Sequence, residues 1–250
     1  MKTPPQKVLA VSRTVNLCKD MRPFIIGIGG AHSGAGKTTY ASLLLQHFKG
    51  WGAIKYTKTG LYASVVDDLT TLSEDNKDTR RFLDSGAERV LWVQSPPLEL
   101  GEVLPLAVEE LSALKGIIVE GNSAIEFLVP DIIIFILGSD PSEIKAGAKS
   151  LLSKADVVVA EKGASVQVKE RARRFSRSPG ENAELLRYVR EMVEKKEKIA
   201  SSLREKSDDG RIPCPVARKL AEELSVPYSE IGRVANELQI KITGCELGCF

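Results

Sequence analysis

Residues 24–48, FIIGIGGAHSGAGKTTYASLLLQHF, contain an apolar run, a stretch of small residues, and a lysine followed by two threonines. Backbone N–H groups can hold phosphate oxygens only where few side chains stand in the way. The small residues that would form such a loop are Gly30, Ala31, Ser33, Gly34, Ala35 and Gly36. A helix predicted from Lys37 to Lys49 would direct its N-terminal amides and positive dipole end at the same place. This segment therefore predicts a loop that binds the phosphates of a nucleoside triphosphate.

Three side chains at the end of the loop carry the expected chemistry. Lys37 would reach the β- and γ-phosphates, Thr38 would place its hydroxyl on Mg²⁺, and Thr39 is a neighbouring phosphate contact. The pattern GxxxxGK[ST] is matched except at its first position, where Ala31 replaces glycine and Gly30 lies one residue early. Alanine is compatible with the loop if its φ is negative. The alternative is a glycine-rich turn with a purely structural use.

Hydrolysis or transfer of a phosphoryl group also needs carboxylates near the carboxyl ends of the sheet strands. Glu120 ends the apolar strand GIIVE, where it would hold Mg²⁺ or orient the attacking water. Asp78 lies near a helix start, where helix capping is a competing role. Asp67 and Asp68 are weaker candidates. We therefore expect Lys37, Glu120 and Asp78 to be catalytic, and Thr38, Asp78 and Glu120 to bind Mg²⁺.

Short apolar runs alternate with helical patterns along the chain, which is typical of a mostly parallel sheet covered by helices on both faces. Strands are predicted at Phe24–Ile28, Gly52–Tyr56, Arg89–Val93, Gly116–Glu120, Ile132–Leu137 and Asp156–Ala160. Helices are predicted at Lys37–Lys49, Asp75–Ser85, Glu102–Leu114, Pro141–Ser153 and Glu181–Glu205. With the phosphate loop, this pattern predicts the P-loop NTPase form of the α/β class, a three-layer α/β/α domain.

Composition and a polar break that contains glycine and proline divide the chain of 250 residues into three parts. We expect an N-terminal leader at 1–22, a nucleotide-binding domain at 23–206, and a small module at 210–250 after the polar break REKSDDGRIP. No apolar run approaches the roughly 20 residues of a membrane span, and the leader lacks signal-peptide features, which predicts a cytoplasmic protein without membrane contact. A net charge of +2 makes wholesale nucleic-acid binding an unfavourable interpretation.

The C-terminal module carries three of the four cysteines. Its helical patterns, Pro215–Leu224 and Tyr228–Leu238, predict a helix-turn-helix. Cys214, Cys245 and Cys249 would give three thiolates, one short of a closed zinc or iron–sulfur centre. The alternative is that these are buried or surface thiols without a metal.

Four segments resemble the MobB family, and they occur in the family's order between about residues 23 and 160: GIGGAHSGAGKTTYASLLL, GAIKYTKTG, KDTRRFLDSGAERV and IIVEG. Members of that family are P-loop proteins that assist the conversion of molybdenum cofactor to its guanine dinucleotide form. The resemblance implies a GTP-binding adaptor, often a homodimer, with weak hydrolysis, that works beside the molybdenum cofactor maturation enzymes.

Carried over by position, the resemblance assigns Lys37 and Thr38 to phosphate and Mg²⁺, and Asp78 and Glu120 to the family's two acids. The family's histidine-rich segment after the second strand is replaced here by Tyr56, Thr57, Lys58 and Thr59. Lys162 would lay its stem on the base, but no aspartate follows two residues later to read guanine. The choice between GTP and ATP therefore depends on the resemblance, which favours GTP.

Three functions remain open at this point. The first is a nucleotide-hydrolysing accessory protein for molybdenum or tungsten enzymes, and the second is a P-loop kinase that phosphorylates a small molecule. The third is a regulator whose tail binds DNA through Arg218, Lys219, Arg233 and Lys241 while its thiols sense metal or redox state. Because Glu222, Glu223, Glu230 and Glu237 lie among these basic residues, we expect poor affinity for nucleic acid.

Overall fold

The structure is a computed structural model that describes residues 22–138, 144–162, 164 and 172–244. The chain divides into two compact units, with the boundary between Arg174 and Phe175. In this division the long helix before the polar break at residue 206 is grouped with the C-terminal unit. The sequence-based boundary after that break stays a prediction. Each unit is described by itself below.

The main sheet has eight strands: β1 Phe24–Gly30, β2 Trp51–Lys58, β3 Ser64–Val66, β4 Val90–Ser95, β5 Gly116–Glu120, β6 Ile132–Ile136, β7 Val157–Ala160 and β8 Arg173–Ser176. Strands β1 to β7 belong to the first unit, whereas β8 begins in that unit and ends after its boundary. The strand order is β3-β4-β2-β5-β1-β6-β7-β8. Pairing is parallel from β4 through β2, β5, β1 and β6 to β7, while the short edge strand β3 runs antiparallel to β4.

Helices cover both faces of this sheet, which confirms the predicted three-layer α/β/α fold. The helices are α1 Lys37–His47, α2 Leu69–Leu72, α3 Asp78–Asp84, α4 Leu100–Glu110, α5 Asn122–Leu128 and α6 Ala146–Lys154, with a 3-10 turn at Pro97–Glu99. On one face α1 and α3 pack together, and on the other α4, α5 and α6 form a row. The predicted helix start at Pro141 falls outside the described residues, and α6 begins at Ala146.

Successive side chains of β5 alternate between the apolar core on one face of the sheet and the candidate site on the other. Ile117 and Val119 pack in the apolar cluster beneath α4 and α5. Because successive strand side chains point to opposite faces, Ile118 and Glu120 lie on the face covered by α1. All five residues of β5 are buried, so Glu120 is a carboxylate inside an otherwise apolar strand. A buried charge of this kind requires hydrogen bonds or an opposite charge.

The C-terminal unit is a small helical module with its own apolar cluster. Its elements are α7 Pro179–Lys206, β9 Arg211–Pro213, α8 Cys214–Glu223, α9 Tyr228–Glu237 and β10 Lys241–Thr243, and β9 and β10 form a parallel pair. The cluster joins Ile199 and Leu203 of α7 to Leu220 of α8 and Val234 of α9. The predicted helical C-terminal part is confirmed, and the unit also contains the two short strands β9 and β10. Within the part of the chain that is described, no helix is long and apolar enough to span a bilayer.

Candidate nucleotide site

The loop between β1 and α1 has the backbone form expected of a phosphate loop. Gly34 and Gly36 adopt positive φ angles of 82° and 97°, which favour glycine. A Cβ atom on Gly34 would meet no other atom within 4 Å, so the backbone there is open to a ligand. Ala31, at the departure from the glycine pattern, does not have a positive φ, and its amide donates to the Ile136 carbonyl at 3.0 Å. Alanine is therefore accommodated without strain.

Helix α1 begins directly after this loop, at Lys37. Within the described part of the chain, no side chain caps this N-terminus, which leaves its first amides available for an anion. The ammonium of Lys37 folds back over the loop and donates to the His32 carbonyl at 2.9 Å. Burial lowers the pKa of Lys37 below its ordinary value, and the charge of Lys55 acts in the same direction, while Glu120 and Asp78 oppose the shift.

Glu120 is the centre of a buried polar cluster at the carboxyl ends of β2 and β5. The Thr38 hydroxyl donates to Glu120 Oε2 at 2.9 Å, and the Lys55 ammonium donates to Glu120 Oε1 at 2.6 Å. The Cα atoms of Lys55 and Glu120 are direct partners in the parallel β2/β5 register. Their side chains therefore leave the sheet on the same face, toward α1 and α3, where they meet.

Asp78, the first residue of α3, completes this cluster. Its Oδ2 accepts from the Lys55 ammonium at 2.5 Å. Burial, the largest single influence, raises the pKa of Asp78, but the hydrogen bond and charge of Lys55, with Thr38 and Arg81, outweigh it and hold that pKa below its usual range. Lys77, and not Asp78, occupies the N-cap position of α3. Asp78 therefore does not cap this helix, and its carboxylate takes part in the polar cluster.

The hydroxyl of Thr38 and the carboxylates of Asp78 and Glu120 form a set of hard oxygen donors that fits Mg²⁺. Within the described residues, no group of three or more His, Cys, Asp or Glu side chains converges on one point. A magnesium ion here would take its remaining ligands from phosphate oxygens and water, as it usually does beside a nucleotide.

A cavity of about 730 Å³ extends from the loop across the ends of β2 and β5. Its volume is within the range of small-molecule sites. Five basic side chains line it against two acids: Lys37, Lys55, Lys58, Arg81 and Lys145, against Asp78 and Glu120. This charge balance favours a polyanionic ligand. Arg81 also donates to the Thr39 hydroxyl at 3.2 Å, which ties α3 to the start of α1.

Asn122 anchors the loop from below, a role that the sequence did not suggest. Its amide oxygen accepts from the Gly30 amide at 3.0 Å, and its amide nitrogen donates to the Gly30 carbonyl at 2.9 Å. Gly30 also leaves room for the Lys37 stem, because a Cβ there would lie 2.9 Å from Lys37 Cγ and 3.1 Å from the Ile136 carbonyl. The start of the loop is thus held by the first residue of α5.

The structure brings together most of the sequence-predicted site residues. The cavity is lined by Gly30, Ser33, Gly34, Gly36, Lys37, Thr38, Thr39, Asp78 and Glu120. Ala35 is buried and is not among the lining residues. Asp68 instead caps α2, where its Oδ2 accepts from the Thr71 amide at 2.8 Å. Lys162 lies exposed after β7 and does not line the cavity, so its contact with a base stays a prediction.

The predicted thiolate centre is only partly within the described residues. Cys214 is a half-buried residue at the start of α8, whereas Cys245 and Cys249 lie outside the described part of the chain. In the same unit, Arg233 donates to Glu230 at 2.6 Å and to Glu237 at 3.3 Å. One of the basic residues considered for DNA contact is therefore engaged by neighbouring carboxylates.

Comparison with protein-family models and with curated protein sequences gives no match. Among solved structures, the chain is similar to HypB from Helicobacter pylori, crystallised in complex with nickel. The two are 12% identical with a TM-score of 0.36, and the match covers 69% of this chain and 87% of that chain. The fold assignment rests on the sheet order and helix layers described above.

Proposed function

We propose that this protein binds the Mg²⁺ complex of a purine nucleoside triphosphate, GTP in preference to ATP, and hydrolyses it slowly. One observation carries the proposal: a bare loop at a helix N-terminus opens into the same basic cavity as Thr38, Glu120 and Asp78. A phosphate chain laid along the loop would bring its terminal oxygens toward these three side chains.

The residues have separable tasks in this reaction. Loop amides and Lys37 would hold the β- and γ-phosphates, while Thr38, Asp78 and Glu120 would hold Mg²⁺, which would supply positive charge to the transferred group. A water molecule attacks the γ-phosphorus, the bond to the bridging oxygen breaks, and the nucleoside diphosphate leaves. The proton of the water ends on the released phosphate. Both oxygens of Glu120 already accept hydrogen bonds, which suits an orienting role better than a basic one.

We further propose that this activity serves the maturation of molybdenum cofactor, with the protein acting as a homodimeric accessory to the maturation enzymes. The support is the resemblance of the four segments to the MobB family, which includes Lys37, Thr38, Asp78 and Glu120. The geometry is consistent with that resemblance, since all four residues meet in one cavity. The preference for guanine has the same support.

The test compares the effects of GTP and ATP on the melting temperature and on phosphate release, with protein purified anaerobically. We expect GTP with Mg²⁺ to raise the melting temperature more than ATP does, and phosphate to be released without any added acceptor. Selective stabilisation by ATP, with release of ADP only when an acceptor is present, would contradict this assignment.

A small-molecule kinase is the second candidate, because a second pocket adjoins the first. This pocket of about 250 Å³ shares Lys55, Thr57 and Asp78 with the large cavity, and its other walls include Lys77 and Trp92. The Trp92 indole donates to the Thr57 hydroxyl at 3.0 Å, and the Lys77 ammonium lies 4.7 Å from the ring centroid. An anionic acceptor bound there would lie beside the γ-phosphate.

In that reaction an oxygen of the acceptor, instead of water, attacks the γ-phosphorus. Product analysis distinguishes the two candidates: hydrolysis releases inorganic phosphate, whereas transfer places the phosphoryl group on the added compound. Lys77→Met should leave hydrolysis unchanged and weaken transfer if the kinase assignment is correct.

A further inference from the structure

Lys55 lies where a metal ion would be expected to lie. Its ammonium is within 2.5 Å of Asp78 Oδ2 and 2.6 Å of Glu120 Oε1, the two carboxylates that fit Mg²⁺. The side chain of Lys55 is 16% exposed, that of Glu120 is 2% exposed and that of Asp78 is 37% exposed. The ammonium therefore holds a buried acid and a more exposed acid together.

A cation at this point has a clear physical use. Two carboxylates that converge in a partly buried site repel each other, and each loses hydration. The ammonium of Lys55 compensates both, and the β2/β5 register holds it opposite Glu120. A nucleotide-free protein with Lys55 in place therefore does not need a divalent cation to hold the two acids close to each other.

We infer that Lys55 is a built-in counter-ion that occupies the magnesium position in the nucleotide-free protein and yields it to Mg²⁺ when a triphosphate binds. This inference rests on the proposed function, and it concerns the regulation of the same site. Mg²⁺ and the ammonium compete for the same carboxylate oxygens. The displaced ammonium needs new acceptors, and the oxygens of a triphosphate in the shared cavity supply them.

This competition couples the two ligands. Without a triphosphate, Mg²⁺ must displace Lys55 and leave its charge without a partner, so the metal binds weakly. With a triphosphate, the same displacement gives the lysine a phosphate contact. Each ligand therefore strengthens the binding of the other, as linkage requires.

The experiment is a calorimetric titration of MgCl₂ into the nucleotide-free protein. In Lys55→Met the two acids lose their counter-ion, and we expect the affinity for Mg²⁺ to rise by about 10-fold or more, within the usual range of coupling between sites. The matched control is Lys58→Met, which removes the same charge from the same strand and cavity. Since Lys58 is exposed, we expect a change below about 2-fold.

Melting curves with and without excess MgCl₂ provide a second readout. Mg²⁺ alone should stabilise Lys55→Met and leave the wild type unchanged, because only binding to the folded form raises the melting temperature. If Lys55→Met does not fold, the wild type still decides: tight Mg²⁺ binding by the nucleotide-free wild type would overturn the inference. An unchanged Mg²⁺ affinity in folded Lys55→Met would also overturn it.

The inference and the proposed function fail in different ways. If no nucleoside triphosphate binds under any condition, the proposed function is wrong. If Mg²⁺ and triphosphate bind together but Lys55→Met behaves like Lys58→Met, the proposed function stands and the counter-ion role is wrong.

Discussion

At the scale of single residues, the site contains a lysine whose positive charge is disfavoured by folding. Lys37 is partly buried beside a second cation, and burial lowers its pKa. A lysine whose pKa is lowered by folding costs stability while it is charged, and the cost is relieved as the pH rises above its folded-state pKa. Such a cost is expected where a charge serves a ligand.

This gives a prediction for Lys37→Met. The methionine keeps the apolar stem and removes the disfavoured charge, so the melting temperature at pH 7 should stay the same or rise by a few degrees. Thermal unfolding followed by circular dichroism measures this, with Lys49→Met on the exposed end of the same segment as control. A fall of several degrees for Lys37→Met alone would contradict the interpretation.

The charge of Asp78, unlike that of Lys37, is expected to stabilise the folded protein. Its pKa is held below the ordinary value, chiefly because Lys55 outweighs the effect of burial. A depressed carboxyl pKa contributes stability above its unfolded-state value of about 3.9, and this contribution is lost as the pH falls through the folded-state pKa. The difference in unfolding free energy between wild type and Asp78→Asn should therefore be constant from about pH 7 to 5 and shrink below about pH 4.

Urea unfolding of both proteins at several pH values between about 3 and 7 measures this difference. A difference that persists unchanged to the acid end would show that Asp78 does not stabilise the protein through its charge.

At the scale of elements, the site depends on which strands are neighbours. Strand β5 lies between β1 and β2, so Glu120 at its end is close to both the loop after β1 and Lys55 on β2. Asn122, two residues further, reaches Gly30 and pairs with both of its backbone groups. The loop is positioned by the order of the sheet as much as by its own glycines.

We predict that Asn122→Asp loosens the loop. The new oxygen cannot donate to the Gly30 carbonyl, and a buried acceptor left unpaired costs about 1–3 kcal/mol. The unfolding free energy should fall by about that amount, and triphosphate affinity should fall with it. Ser123→Ala in the same turn is the control and should change stability by less than about 0.5 kcal/mol. Equal effects of the two substitutions would contradict the anchoring role.

The sequence was sufficient for local features and insufficient for pairings across the sheet. The loop, α1 and the strand that ends at Glu120 were predictable because glycine pattern, apolar run and helix follow one another locally. Lys55 was missed as a site residue because nothing near it in the chain reveals that Glu120, 65 residues away, is its partner. The antiparallel strand Ser64–Val66 and the helix Asn122–Leu128 were missed because each is short.

At the scale of the whole molecule, two units with separate apolar clusters divide the chain. The cluster of the C-terminal unit is built from residues 199–240, and its members include Leu220 and Ile231. The nucleotide cavity is lined only by residues of the first unit among those described. The nucleotide cavity and the apolar cluster of the C-terminal unit therefore share no residue among those described.

Leu220→Ala tests this separation. Leu220 is 1% exposed, and removal of its side chain should destabilise the C-terminal unit by about 2–5 kcal/mol. Triphosphate affinity should remain within about 2-fold of the wild type, a difference below 0.5 kcal/mol. Calorimetric unfolding and a binding titration on the same preparation measure both quantities. A large loss of affinity would show that the nucleotide site depends on the C-terminal core.

The central claim is that the loop around Gly34 and Gly36, with Lys37, binds a polyphosphate. Its most direct test is a calorimetric titration of a non-hydrolysable GTP analogue with Mg²⁺ into the wild type and Lys37→Met. We predict saturable one-to-one binding by the wild type and an affinity about 100-fold lower for the variant, because it loses charge-assisted hydrogen bonds to the phosphates. Equal affinity of the two proteins, or no binding by a folded wild type, would contradict the account.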